Sequence, residues 1–279
     1  MTSRSKSWLA AIALVWLAGC SNSSGHDHHH ETGIDDASGS LGELSCATGE
    51  PPPPLGLVSS LPLYWPLDAD ISDLASGAAQ LPWQRQVLSA CFTLLALNTL
   101  SPEPTAPGGP PPVGALDGLD QLLIVQPRVL TPLDNVALDD WVRQGGEALI
   151  LLDPLLTGHY DLPLGDPRRP VDTSLVAIPP VVTRWGLQVE FDEPESLEAG
   201  TIKTAFGDAE LTVEVGSRWK IVDPNAASCD SFADGFGVQC KIGEGRVTLF
   251  GDAALFEHRE IAGEDFEAIA ALLDFAFAD

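Results

Sequence analysis

Four side chains in the second half of this 279-residue chain are of types that could do chemistry together: Asp153, His159, Asp252 and His258. Carboxylates and imidazoles suit a divalent ion that activates water for hydrolysis. No spacing rule joins these four, because neither histidine belongs to an HExxH helix. A second set suits binding. Arg168 and Arg169 form a rare basic pair in an acidic chain and could hold a carboxylate or sugar acid, while Tyr64 and Trp65 could stack on an apolar or carbohydrate face. A plainer alternative stays open for all of them: Asp153 and Asp252 cap loops and helices, Arg168 and Arg169 pair with local acids, and Tyr64 and Trp65 pack over a sheet. Ser59 and Ser60 lack the Gly-x-Ser-x-Gly turn of a serine hydrolase. His26, His28, His29 and His30, with Asp27 and Glu31, make a tract able to bind Zn, Cu or Ni ions weakly, without the framework of a closed site. The tract equally suits a solvated linker. No resident cofactor is expected.

The cysteines indicate where such chemistry would take place. Cys20 closes an apolar run from Trp8 to Ala18 that follows Arg4 and Lys6. A basic start, an apolar stretch and small residues before a cut form a secretory signal, and the run is shorter than the roughly 20 residues that span a bilayer. Leu17-Ala18-Gly19-Cys20 resembles the lipobox of bacterial lipoproteins. The resemblance implies that residues 1–19 are removed and that Cys20 carries a diacylglycerol and an acylated amine. Several buried acyl chains, at roughly 0.8 kcal/mol per CH2, would anchor the chain durably in a cell envelope, facing the periplasm. Ser21 stands where many inner-membrane lipoproteins of this kind carry Asp, so the outer membrane is expected. With Cys20 assigned to lipid, Cys46, Cys91, Cys229 and Cys240 remain, an even number for an oxidising compartment. Cys229 and Cys240 flank an acid- and glycine-rich stretch, residues 230–237, that suits a turn and brings them together. Cys46 with Cys91 then follows by elimination, although sequence alone leaves the connectivity open.

Charge limits the partners. Asp and Glu number 40 against 14 Lys and Arg, a net charge of −26. Phosphate backbones need a concentrated basic face, so nucleic acid is excluded as an expected partner, whereas cations, basic protein surfaces and a small ligand remain open.

Residues 20–54 are Ser, Gly, His, acids and Pro with few large apolar side chains, a composition that cannot offset the entropy of ordering. They are expected to tether a single α/β domain, residues 55–279. Its elements alternate. Strands are expected at 55–60, 92–97, 119–125, 148–152 and 187–191, and helices at about 83–89, 131–144 and 173–185. The clearest unit is Leu119 to Val125, then Thr131 as cap with Pro132 in the first helical position, then Ala148 to Leu152 ending at Asp153. Continuous apolar strands around a crossover helix imply a mostly parallel sheet covered on both faces. After Phe206 the alternation in 211–215, 218–222 and 237–242 predicts a small antiparallel insertion, before a buried strand at 246–250 and a closing helix at 264–277. In such a sheet, ligands meet the carboxyl ends of the strands, which singles out Ser59, Ser60, Gln126, Asp153 and Asp252.

The segments Leu122-Leu123-Ile124-Val125-Gln126-Pro127, Leu138-Asp139-Asp140-Trp141-Val142-Arg143-Gln144-Gly145-Gly146, Leu149-Ile150-Leu151-Leu152-Asp153-Pro154 and Gly245-Arg246-Val247-Thr248-Leu249-Phe250-Gly251-Asp252-Ala253 resemble one family. It is the class I glutamine-amidotransferase-like domain of ABC-transporter auxiliary proteins, including the gliding-motility type. The resemblance implies a flavodoxin-like fold and a non-catalytic binding or assembly role beside an envelope protein. The transmembrane helix that membrane-embedded members carry at the place corresponding to the end of this domain is not expected after Phe277, so a direct transporter role is not expected either. The chain lacks the elbow Cys, with its His and Glu, of true amidotransferases. The alternative expectation is an envelope hydrolase, metal-assisted or glycan-processing, that uses the strand-end carboxylates.

Overall fold

The computed structural model describes residues 51–67, 69–102, 109, 113–172 and 178–277, all within one compact unit of the chain. The first half runs β1 (Pro54–Ser59), α1 (Ile71–Ser76), α2 (Trp83–Cys91), β2 (Thr93–Ala96), β3 (Gln121–Val125), α3 (Pro132–Arg143) and β4 (Glu147–Leu151). Next come α4 (Pro180–Arg184), β5 (Leu187–Glu190), α5 (Leu197–Gly200), β6 (Thr201–Phe206), β7 (Ala209–Glu214) and β8 (Arg218–Ile221). The chain closes with β9 (Ser228–Phe232), β10 (Gly237–Ile242), β11 (Gly245–Phe250), α6 (Ala254–Glu257), α7 (Arg259–Ala262) and α8 (Glu267–Phe277).

Seven strands form the central sheet in the order β2-β1-β3-β4-β11-β10-β9. The first five are parallel, and β10 and β9 continue the sheet antiparallel. The continuous apolar runs have a direct explanation. Leu123, Val125, Leu149 and Leu151 face one layer with α2 and α8, while Leu122, Ile124, Ala148 and Ile150 face the other with α3 and α4. Successive side chains of a strand alternate in direction, so a strand buried on both faces must be apolar at every position. The protein is therefore an α/β fold with a mostly parallel central sheet flanked by helices.

Helix α3 starts as its sequence dictates. Thr131 accepts from Asp134 N–H and Asp134 accepts from Thr131 N–H, with Pro132 opening the helix. Asp134 also receives the Thr99 hydroxyl and the N–H groups of Leu100 and Ser101. Burial opposes its ionisation, yet these hydrogen bonds together outweigh burial and hold its carboxyl well below the usual range.

Several expectations need correction. The helix expected at 173–185 is one turn and a half, Pro180–Arg184, because Pro179-Pro180 cannot lie inside a helix and Pro180 is accepted only at its start; residues 173–177 lie outside the described residues. The closing helix begins at Glu267 instead of 264, since Gly263 and Phe266 have positive φ of 94° and 58°. The stretch between Cys229 and Cys240 is mostly strand: β9 pairs with β10, and only Ala233–Gly235 turns, through positive φ at all three residues. The β6–β7 hairpin and the separate antiparallel pair of β5 with β8 form the insertion; residues 187–191 therefore pair outside the parallel sheet, and 237–242, expected in the insertion, joins the central sheet as β10. Strand β6 lies just before the point from which alternation was expected.

Cys229 and Cys240 face each other in that β9–β10 register and are disulfide-bonded. Cys91 is disulfide-bonded as well, while its expected partner, Cys46, lies outside the described residues. So do Cys20 and the histidine tract. Among the described residues no helix is long and apolar enough to cross a membrane.

Candidate functional site

The parallel strands β1, β3, β4 and β11 end at one edge of the sheet, and the chain leaves each end through a polar residue. From β1, Ser59 accepts Leu61 N–H at 3.0 Å, and Ser60 N–H donates to the Gln126 carbonyl at 3.1 Å. Gln126, directly after β3, is fully buried at φ +47°. A non-glycine residue seldom adopts that conformation, which costs on the order of 1 kcal/mol. Its amide compensates by tying three chain segments together. Its N–H group donates to the carbonyls of Asp153 (2.9 Å) and Val171 (2.8 Å), and its carbonyl accepts Asp153 N–H (2.8 Å).

Asp153 and Asp252, at the ends of the neighbouring strands β4 and β11, are both 0% exposed. Asp153 accepts Leu155 N–H at 2.8 Å and reaches across to Ala253 N–H at 2.9 Å. Asp252 accepts Ala254 N–H at 2.5 Å and Glu214 N–H at 2.6 Å. Burial dominates their titration. It pushes Asp153 well above the usual carboxylate range, reinforced by Asp252 beside it, and backbone N–H groups offset only part of the rise. Burial likewise raises Asp252, to about 8, against the N–H groups of Ala254 and Glu214 and with the help of Glu257 and Glu214. Two carboxyls sealed from water at adjacent strand ends resist ionising together, because burial and their mutual repulsion both disfavour the charged form.

A layer above them, Glu257 accepts Thr157 N–H (3.1 Å), Gly158 N–H (3.0 Å) and the Tyr160 hydroxyl (2.5 Å). Burial and the Glu257 charge both push the Tyr160 phenol up. Thr157 Oγ1 lies 2.8 Å from His258 Nε2 and 3.0 Å from Glu214 Oε2. That pair has the reach of a nucleophile and its base. The neighbouring N–H donors are already held by Glu257, and the surrounding carboxylates would repel an oxyanion, so the group lacks transition-state stabilisation for acyl transfer. Sequence reasoning missed Thr157, Glu214 and Glu257, because about 57 to 100 positions separate the partners and no local motif marks them.

The structure brings together only some of the expected residues. Asp153 and Asp252 meet, and His258 joins the overlying layer. His159 does not: its side chain is 91% exposed and pairs with Asp161. Among the described residues no group of three or more His, Cys, Asp or Glu side chains could hold a metal ion. Arg168 pairs with Asp166 at 3.0 Å, and Arg169 donates to the carbonyls of Tyr160 and Leu162, both at 2.7 Å. Tyr64 and Trp65 already carry a cation: the Arg85 guanidinium sits 4.0 Å and 4.6 Å from their ring centres. Arg168 thus pairs with a local acid, whereas Arg169 is bonded to carbonyls and the Tyr64 and Trp65 rings hold a cation, with Trp65 47% exposed. Two clefts flank Gly158 and Tyr160, one of about 320 Å³ against Trp83 and Glu257 and one of about 360 Å³ against Arg128 and Arg169.

No protein-family profile matches the sequence, and no curated protein matches it. Solved structures with some likeness include the exo-beta-1,4-mannosidase Op5Man5 from Opitutaceae bacterium strain TAV5, with 13% identity and a TM-score of 0.43 over 81% of this chain and 36% of that one. A cold-adapted beta-galactosidase from Rahnella sp. R3 has 11% identity and a TM-score of 0.41 over 78% and 31%. A putative ThuA-like protein from Bacteroides uniformis ATCC 8492 has 11% identity and a TM-score of 0.36 over 83% and 93%. All are distant likenesses, and the chain spans about a third of the length of the two glycosidases.

Proposed function

We propose that this chain is a lipid-anchored envelope protein whose α/β domain works by binding and assembly, in the manner of the amidotransferase-like domain of ABC-transporter auxiliary proteins. Acyl chains on Cys20 would hold it at the membrane, with the outer membrane favoured, and residues 21–54 would give the domain reach. The observation that supports this reading is the engagement of the strand-end groups in the protein's own architecture. Asp153 and Asp252 are buried under backbone donors, and Arg168 and Arg169 are bonded to local acceptors. A substrate arriving at this edge would meet no uncommitted acid, base or cation among these four.

The test is a pull-down of the full-length protein from crosslinked envelopes beside a Cys20→Ala control. Recovery of one envelope protein, lost in the control, is the expected result; the same background in both would sink the reading. The hydrolase alternative draws on the Thr157–His258 contact. Turnover of a nitrophenyl ester or glycoside, abolished by Thr157→Val in a folded protein, would favour it.

A further inference from the structure

A cleft that shares no lining residue with the strand-end cluster has properties that this cluster lacks. It measures about 640 Å³ and lies between the β6–β7 hairpin and α8. Its floor is made by the small side chains of Ala270 and Ala271, and its wall by Phe206, Phe232 and Phe275, whose ring centres are 4.9 to 5.2 Å apart. Phe275 is 36% exposed. The hairpin turns in two residues, Gly207 and Asp208, with Gly207 at φ +58°, and this tight turn carries Asp208 to the rim.

Three carboxylates border this apolar space: Asp208, Glu267 and Asp274. Among the described residues none of the three has an ion-pair partner, although Glu267, in the first turn of α8, accepts the Asp265 N–H at 3.2 Å. The hairpin's lysine, Lys203, is held by Glu210 at 2.8 Å. Asp274 stands in the last turn of α8, which has no basic residue there to balance the negative end of the helix. Partial burial raises the Asp274 carboxyl, and nothing nearby lowers it. Glu267 and Asp274 are seven positions apart, about 10 Å along a helix, or about three residues of extended chain.

We propose that this cleft is the docking site for a segment of a partner protein in which an aromatic or long apolar side chain lies between basic residues two to four positions apart. The apolar anchor fills the space over Ala270 and Ala271, and the two cations meet Glu267 and Asp274. Charge complementarity selects this occupant over a second copy of the chain, because a surface of net charge −26 with a wholly acidic rim repels its own copy. The inference rests on the binding role proposed above and assigns that role to a surface.

The test is selection of peptides from a random phage-displayed library on the unlipidated full-length chain carrying Cys20→Ala. Enriched sequences should place Arg or Lys around Trp, Phe or Leu. A synthetic peptide of that sequence should bind at least tenfold more weakly to Asp208→Lys and to Glu267→Lys with Asp274→Lys, and more weakly at 0.5 M salt. Ala270→Trp, which fills the floor, should abolish binding; if that variant fails to fold, the charge reversals at exposed positions decide. No enriched peptide, enrichment without basic residues, binding indifferent to these substitutions, or binding of phenethylammonium alone would overturn the proposal. Repeating the envelope pull-down with Glu267→Lys and Asp274→Lys separates the two inferences. A partner still recovered leaves the binding role standing without this cleft. Peptides that bind the cleft while wild-type protein recovers no partner would leave the cleft standing without the envelope role.

Discussion

The strand-end edge and the α8 cleft carry acids in opposite situations. At the strand ends, Asp153, Asp252 and Glu257 each accept at least two hydrogen bonds from their own chain. Around the cleft, Asp208, Glu267 and Asp274 border phenylalanine and alanine without an ion-pair partner among the described residues, and Glu267 alone accepts a backbone N–H, that of Asp265. The first arrangement stabilises a junction of four strands, while the second leaves attraction available to an incoming molecule. Residue type alone thus did not locate the binding surface. What mattered was whether the fold had already satisfied the charge.

If this contrast is right, its largest signature is in the pH dependence of stability. Asp252 titrates near 8 when folded and near 3.8 when unfolded, so between those values the folded state holds more protons. Stability should therefore be greatest at mildly acidic pH and fall as pH rises towards 8, by up to about 1.4 kcal/mol per pH unit for one such group. Ordinary carboxylates are already ionised above about pH 5.5 and contribute little slope there. Melting curves from pH 5.5 to 8 should show this decline in wild type and a flatter line in Asp252→Asn. A flat wild-type line would mean the strand-end acids are as solvated as those of the cleft.

Gln126→Leu probes the same junction without charge. It removes three hydrogen bonds and leaves Asp153 N–H buried without its acceptor, which should cost about 3 kcal/mol in urea unfolding. A change below about 1 kcal/mol would show that water replaces the amide and that the edge is open. Replacing Cys229 and Cys240 together by Ser tests the far side of the sheet. Loss of the bridge across 11 positions should cost roughly 2 to 3 kcal/mol and leave the pH profile unchanged. The smallest effect is expected from Arg85→Ala, where loss of the guanidinium from the Tyr64 and Trp65 rings should cost about 0.5 to 1 kcal/mol. A gain in ligand binding by that variant would mean the rings are a covered binding platform.

Much of this architecture was legible before any coordinates. The β3-α3-β4 unit shows in its runs of apolar residues and in Thr131-Pro132, and the Cys229–Cys240 bridge shows in the spacing and composition between the two cysteines. The candidate site was legible only as residue types at strand ends. Asp153 and Asp252 were found because the carboxyl-end rule is geometric and follows from strand assignment. Their partners were not, since Glu257 meets Thr157 and Gly158 across about 100 positions.

The sequence by itself determined the periodicity that makes a two-faced parallel sheet, the capped helix that connects its strands, the strong net negative charge, and the resemblance of Leu17-Ala18-Gly19-Cys20 to a lipobox. Those properties are local or additive, so they survive without knowledge of what touches what. Only the tertiary structure decided which charges are satisfied. It placed Arg85 on Tyr64 and Trp65, turned His159 to solvent, sealed Asp153 beside Asp252, and set Glu267 and Asp274 at the border of an apolar cleft. Such pairings depend on contacts between residues far apart in the chain, and no property of a single position carries that information.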